Sequence, residues 1–115
     1  MKEIAKLNQA RQEIVRQIAA LGSMRKGSVS EQFLETAHKD GSKTKRGPYI
    51  LYTFKEKGRT ISRRLPAKQK AQLFREQIDN FRRFQTLAAQ LVRTSQRMAD
   101  LAAADLSDEK KTPSP

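Results

Sequence analysis

The stretch that decides the fold is residues 49–65, YILYTFKEKGRTISRRL. Residues 49–55 and 59–65 are rich in aromatic and β-branched side chains that alternate with polar ones, which is typical of β-strands. Lys57-Gly58 lies between them and fits a two-residue turn. The sequence therefore predicts an antiparallel hairpin. Its predicted residue pairs are Phe54 with Ile61, Tyr52 with Arg63, and Ile50 with Leu65.

The apolar side chains favour this register over its neighbours, because a slip of one residue would scatter them over both faces. Since Lys-Gly is a weaker turn signal than Asn-Gly, a longer loop with the same register is the alternative. Arg63 shares the apolar face and is expected to snorkel to its edge. The apolar face holds Ile50, Tyr52, Phe54, Ile61 and Leu65, and the opposite face holds Thr53, Lys55, Thr60, Ser62 and Arg64.

Helical periodicity is found on both sides of the hairpin. Residues 2–21 form one predicted amphipathic helix, and residues 66–102 form a longer one with Pro66 at its first position. The apolar stripe of the first helix needs a partner helix, from this chain or from another copy. The excess length of the second helix favours a homodimer. The residues expected to make the oligomer contacts are Ile14, Ile18, Phe81, Leu91 and Met98.

The remaining segments complete the predicted fold. Ser28 followed by Glu31 matches a capping box, which predicts a short helix that ends near His38. Residues 39–47 are predicted to be a mobile loop, and residues 104–115 a disordered tail. The predicted class is thus mostly α with a two-stranded antiparallel β-hairpin and coiled-coil-like helix packing. Residues 1–103 would form a single elongated helical domain.

The basic residues are unevenly distributed along the chain. The formal net charge is +12, and residues 39–70 alone carry 11 basic and 2 acidic side chains, a net of +9. A merely solvated surface would include more acidic side chains to relieve the repulsion. This pattern favours a polyanionic partner, of which nucleic acid is the commonest.

The hairpin is the predicted nucleic-acid-binding element, because a two-stranded ribbon fits the major groove of duplex DNA. Cationic side chains of the preceding loop and of the first turns of the long helix would hold the flanking phosphates. Tyr49 could stack on a base, although packing at the start of the strand is favoured. The candidate binding residues are Lys43, Lys45, Arg46, Tyr49, Lys55, Lys57, Arg59, Arg64, Lys68 and Lys70.

Catalytic and metal-binding patterns are missing from the sequence. The chain has no cysteine and one histidine, and neither glycine-rich phosphate-binding motif occurs. We therefore expect no enzyme activity, no catalytic residue, no metal site and no cofactor. There is no apolar run of membrane-spanning length. A membrane-surface binder is disfavoured, because the basic cluster lies on the predicted hairpin and not along an amphipathic helix, so no membrane partner is expected. The expected location is the cytoplasm of a bacterium, where association with the nucleoid is an open alternative.

The order of features resembles a family of small bacterial proteins that are commonly encoded beside transposases in mobile elements. The matching residues are Gly27-Ser28, Phe33, Gly47-Pro48-Tyr49, Gly58-Arg59-Thr60 and Leu65-Pro66. The resemblance implies a role near transposition or DNA handling. Members of that family often carry cysteines in the loop before Gly-Pro-Tyr, whereas residues 38–46 here contain none. The departure removes any zinc-binding role from this loop.

Two functions follow as expectations. The leading one is a non-enzymatic, dimeric nucleic-acid-binding accessory protein, with DNA favoured over RNA. The alternative is a protein-interaction or oligomerisation subunit of a transposase or larger nucleoprotein complex. Weak intrinsic affinity for nucleic acid together with tight protein association would favour the second.

Overall fold

A computed structural model describes residues 2–107 as two helices and three strands. The elements in chain order are α1 (Lys2–Ala20), β1 (Ser28–Ala37), β2 (Lys43–Glu56), β3 (Arg59–Leu65) and α2 (Lys68–Ser107). The strands form one antiparallel sheet in the order β1-β2-β3. The helices contain 19 and 40 residues, so the fold is rich in helix but belongs to the mixed α and β class.

The β2–β3 hairpin has the predicted register. Phe54 lies opposite Ile61, Tyr52 opposite Arg63, and Ile50 opposite Leu65. The turn is the two-residue one, with positive φ of 50° at Lys57 and 80° at Gly58. A type I′ turn requires positive φ at both central residues, and its twist matches that of the strands. The predicted hairpin is therefore confirmed.

The prediction of a short helix after Ser28 is wrong, because residues 28–37 form strand β1. Most of the predicted mobile loop is also ordered differently, since Lys43 to Gly47 begin β2. The sheet consequently has three strands rather than two. The capping-box pattern is a local signal, and pairing with β2 overrides it by satisfying the backbone groups of the whole segment.

A β-bulge interrupts the β1–β2 ladder. The register changes between Gln32 and Leu34, so that Gly47 and Pro48 together lie opposite Phe33. The Gly47–Pro48 peptide bond is cis, and Gly47 has a φ of 132°. A Cβ atom at Gly47 would lie 2.8 Å from the carbonyl oxygen of Gln32. The bulge therefore requires glycine at this position.

Residues 22–82 form one compact unit, whose core joins the sheet to the first turns of α2. The Tyr52 ring meets the Phe74 ring edge-on, with 4.9 Å between the centroids. Ala71 is 1% exposed, and its small side chain fits where the helix crosses the sheet. The buried members of this core are Tyr52, Leu65, Ala71, Phe74 and Ile78.

The segment between α1 and β1 is held along α2. The backbone N–H of Arg25 donates to the carbonyl oxygen of Gln77 at 3.0 Å. The Asn80 amide donates to the carbonyl oxygen of Ser23 at 2.9 Å. The Tyr52 hydroxyl donates to the carbonyl oxygen of Lys26. These bonds fix a segment that has no regular secondary structure of its own.

The second compact unit contains α1 and the part of α2 after Arg82. Arg97 donates to a carboxylate oxygen of Glu3 at 3.1 Å, and Arg83 donates to Oε1 of Gln17 at 3.1 Å. The two helical segments therefore run antiparallel. Ile14 is 8% exposed within the single chain. Of the two predicted partners for the α1 stripe, the structure uses a helix of the same chain.

The helix boundaries differ slightly from those predicted. α2 begins at Lys68 because the Ala67 carbonyl accepts the first helical bond, from the N–H of Ala71 at 3.1 Å. It continues through Ser107, and so includes the first four residues of the predicted tail. The rest of that tail, residues 108–115, lies outside the described residues. Neither helix, over the residues described, is apolar enough along its length to cross a membrane.

Candidate nucleic-acid interface

One face of the hairpin is turned away from the core. Side chains alternate along a strand, so Lys55 and Arg64 lie on the face opposite the buried Tyr52 and Leu65. Both cations are exposed, as are Lys57 in the turn and Arg59 just after it. On the same face, the hydroxyls of Thr53 and Ser62 lie 3.0 Å apart. The predicted hairpin cations thus occupy the solvent face and the tip.

Arg64 is positioned by an aromatic ring. Its guanidinium carbon lies 4.1 Å from the centroid of the Tyr49 ring. Stacking of this kind orders a guanidinium while leaving its in-plane N–H donors free. Tyr49 is half-buried, which agrees with the favoured packing role. The ring therefore holds the Arg64 guanidinium in place without using its N–H donors.

Lys68 lies near this pair. Tyr49, Arg64 and Lys68 line one open hollow of about 630 Å³ beside Pro66. The hollow also contains Arg75, which forms an ion pair with Glu31 at 3.6 Å. The start of α2 thus places Lys68, which is in none of the ion pairs described for residues 2–107, beside Arg64.

The cations of the predicted loop lie elsewhere. Lys43, Lys45 and Arg46 are on the half of β2 that precedes the bulge. Because β2 has 14 residues with a rise of about 3.3 Å per residue, its two ends are up to about 43 Å apart. The structure therefore separates these three residues from the hairpin tip.

The β1–β2 ribbon around these cations is exposed along its whole length. Lys45 Nζ lies 4.5 Å from the centroid of the Phe33 ring, and Lys43 pairs with Glu35 at 3.7 Å. In the turn, the hydroxyl and backbone N–H of Ser42 donate to Asp40, which lowers the pKa of that carboxyl. Residues 30–48 thus form an antiparallel ribbon at the end of the sheet away from the β2–β3 turn.

Lys70 is exposed but does not lie on the hairpin face that carries Lys55 and Arg64. Its Nζ lies 5.9 Å from the centroid of Phe74, on the side of the sheet that packs against α2. Arg25 and Arg63, which the sequence did not single out for binding, lie on the same side. The sequence could have identified Arg63 as a residue of this side, because the predicted register pairs it with Tyr52. It could not have identified Arg25, because only the tertiary path of residues 22–27 brings Arg25 there.

Most of the candidate cations have no acidic partner. The ion pairs described for residues 2–107 are Glu13–Arg16, Glu35–Lys43, Glu31–Arg75 and Glu3–Arg97. Of the proposed binding residues, only Lys43 is among them. The hairpin charge is consequently not neutralised within the described chain. Over the same residues, no group of three or more His, Cys, Asp or Glu side chains could hold a metal ion.

These features define a helix-rich protein built around a basic three-stranded meander. Residues 4–75, from α1 to the first turns of α2, match the DUF6788 domain of unknown function. The chain belongs to this family. No curated protein and no solved structure matches the chain.

Proposed function

We propose that this protein is a non-enzymatic nucleic-acid-binding accessory protein that contacts phosphates through the β2–β3 hairpin. The observation that carries the proposal is the exposed group of unpaired cations on the hairpin. Lys55, Lys57, Arg59 and Arg64 are all exposed, and none is in a described ion pair. Such charges release condensed counterions when they meet phosphates, which drives association.

Duplex DNA is the preferred ligand. Beyond Thr53, where β1 no longer pairs with β2, the hairpin is a two-stranded ribbon. Such a ribbon fits the wide major groove of B-form DNA, whereas the major groove of A-form RNA is too deep and narrow. Arg64, held against Tyr49, is suited to bidentate contact with a phosphate or with a guanine edge. The resemblance to proteins encoded beside transposases supports a setting in a mobile element.

The test is a fluorescence-anisotropy titration of the full chain with duplex DNA, single-stranded DNA and structured RNA. The hairpin variant is Lys55→Ala/Arg59→Ala/Arg64→Ala. Its matched control is Lys6→Ala/Arg11→Ala/Arg93→Ala, which removes the same charge from exposed cations of the helical unit. We expect the duplex to bind best, the hairpin variant to lose binding and the control to retain it. Equal losses in both variants would contradict a role for the hairpin.

A second candidate is a protein-interaction subunit of a nucleoprotein complex. Exposed apolar side chains on the helices favour it, because Val15 is 47% and Val92 65% exposed. The predicted oligomer contacts Ile18, Leu91 and Met98 are half-buried in the single chain. Absence of nucleic-acid binding at low salt would favour this function over the first.

A further inference from the structure

A second group of cations surrounds a groove on the side of the sheet that packs against α2. The groove has a volume of about 390 Å³, within the range of small-ligand sites. Its lining includes Arg25, Arg63, Arg64 and Lys70 and contains no aspartate or glutamate. A groove with several cations and no acid has a positive potential that favours an anion.

Three aromatic rings form the wall of this groove. The Tyr52 and Phe54 rings are stacked, with centroids 4.9 Å apart, and Tyr52 meets Phe74 edge-on at the same distance. Tyr52 and Phe74 are buried, whereas Phe54 is half-buried. The wall is therefore rigid and belongs to the core of the unit.

The rings also position the cations. The guanidinium carbon of Arg25 lies 3.9 Å from the Phe74 centroid, and that of Arg63 lies 5.5 Å from the Phe54 centroid. Lys70 Nζ lies 5.9 Å from the Phe74 centroid. Contact with a ring face uses none of the hydrogen-bond donors of these groups.

Arg25 is the most constrained of the three. Its Nε donates to Oε1 of Gln77 at 2.9 Å, and its backbone N–H donates to the Gln77 carbonyl. No described ion pair contains Arg25, Arg63 or Lys70. The two terminal nitrogens of Arg25 therefore remain available in a fixed place, which reduces the ordering cost of binding.

We propose that this groove is a phosphate-binding site centred on Arg25 and Arg63, which shares only Arg64 with the proposed hairpin cations. Planar guanidinium groups match phosphate oxygens in two-point contacts, and the ammonium of Lys70 supplies a third charge. The half-buried Phe54 ring gives the apolar part of a phosphate-bearing ligand a surface to contact. The phosphate could come from a nucleotide chain or from a free phosphate compound, and the experiment separates these sources.

The experiment is an NMR titration of the full ¹⁵N-labelled chain, in which the arginine Nε–Hε signals are followed. Sodium pyrophosphate is the first probe, and a 5′-phosphorylated thymidine trinucleotide is the second. We expect the Arg25 and Arg63 signals to shift with pyrophosphate. In Arg25→Gln/Arg63→Gln the affinity should fall roughly tenfold or more, because charge-assisted hydrogen bonds to the phosphate are lost.

The matched control is Lys6→Gln/Arg11→Gln, which removes two charges from exposed side chains of α1 and should bind pyrophosphate as the wild type does. Lys70→Gln provides an exposed single change if the double variant unfolds. Competition between the trinucleotide and pyrophosphate would assign the site to nucleotide chains, whereas binding of pyrophosphate alone would assign it to free phosphate compounds. Unshifted Arg25 and Arg63 signals, or equal losses in the groove and control variants, would overturn the proposal.

This outcome is independent of the hairpin proposal. Duplex binding that depends on Lys55 and Arg59, which do not line the groove, would stand even if pyrophosphate failed to bind. Conversely, pyrophosphate binding by a protein with no affinity for duplex DNA would support the groove proposal and contradict the hairpin proposal.

Discussion

The contact between Arg64 and Tyr49 makes a prediction about a single side chain. An exposed cation–ring pair contributes about 0.5–1 kcal/mol, and here that energy orders a guanidinium proposed to bind phosphate. We expect Tyr49→Leu to weaken duplex binding roughly two- to fivefold. Tyr49→Phe keeps the ring and should bind as the wild type does. Anisotropy titrations measure both, and equal weakening in the two variants would indicate that the hydroxyl matters instead.

Gly47 makes a prediction about stability. Its φ of 132° and the 2.8 Å approach of a Cβ to the Gln32 carbonyl both oppose a side chain. Gly41 has a positive φ of 87° but open space around it, so Gly41→Ala is the matched control. We expect Gly47→Ala to lower the free energy of unfolding by about 2–4 kcal/mol and Gly41→Ala by about 1–2 kcal/mol. Urea denaturation measures the difference, and equal losses would contradict the steric argument.

Glu13 makes a prediction about pH. Hydrogen bonds from Arg16 and then Gln17 lower the pKa of Glu13 from 4.5 to about 2. Because the folded pKa lies below the unfolded one, the pair stabilises the fold fully above pH 4.5 and loses that effect as the pH falls to about 2. Both side chains are exposed, so the effect should be small.

The check is thermal unfolding of the wild type and Glu13→Gln between pH 2 and pH 6. The difference in melting temperature should shrink toward the acid end of this range. A constant difference would show that Glu13 acts through something other than its charge.

Among the elements, the β2–β3 hairpin was predictable to the residue because its burial alternates. Tyr52 and Leu65 enter the core while Lys55 and Arg64 face solvent, so a single register satisfies both sets. Strand β1 lacked this signal. Val29 is its one residue packed against the core, and from Ser30 onward the strand is exposed on both faces. A strand held mainly by backbone pairing leaves little pattern in the sequence.

The hairpin also sets the expected salt dependence. Each phosphate contact to B-form DNA contributes about −0.9 to the slope of log K against log salt concentration. Removal of Lys55, Arg59 and Arg64 should make that slope less steep by up to about 2.7 if all three contact phosphates. Titrations at four or more salt concentrations measure it. An unchanged slope would place the phosphate contacts outside the hairpin.

At the scale of the whole molecule, the sequence predicted α1 and α2 well but not their pairing, and its short third helix after Ser28 is a strand. The α1 stripe left open whether a second copy or the same chain would cover it, and Ile14 is covered within the chain. The candidate site was predicted in part. Its hairpin cations were identified from local pattern, whereas the separation of Lys43 to Arg46 and the place of Arg25 depend on tertiary structure.

The predicted homodimer can be tested through the exposed apolar residues of the helices. Val92 is 65% exposed, so Val92→Asp leaves the described core of the single chain intact while adding a charge to the helix surface. We expect light scattering after gel filtration to give twice the chain mass of 13.1 kDa for the wild type and the single-chain mass for the variant. Val92→Ala is the control and should remain dimeric. A monomeric wild type would contradict the dimer.

The basic residues of β3 have a consequence for the edge of the sheet. In the strand order β1-β2-β3, no strand of residues 2–107 lies beside the outer side of β3. Unpaired edges recruit strands from other molecules unless charges or proline intervene. Arg59, Arg63 and Arg64 lie on this strand, and Pro66 follows it. Mutual repulsion between copies therefore protects the edge from aggregation, and neutralising these arginines would remove that protection along with any affinity for phosphate.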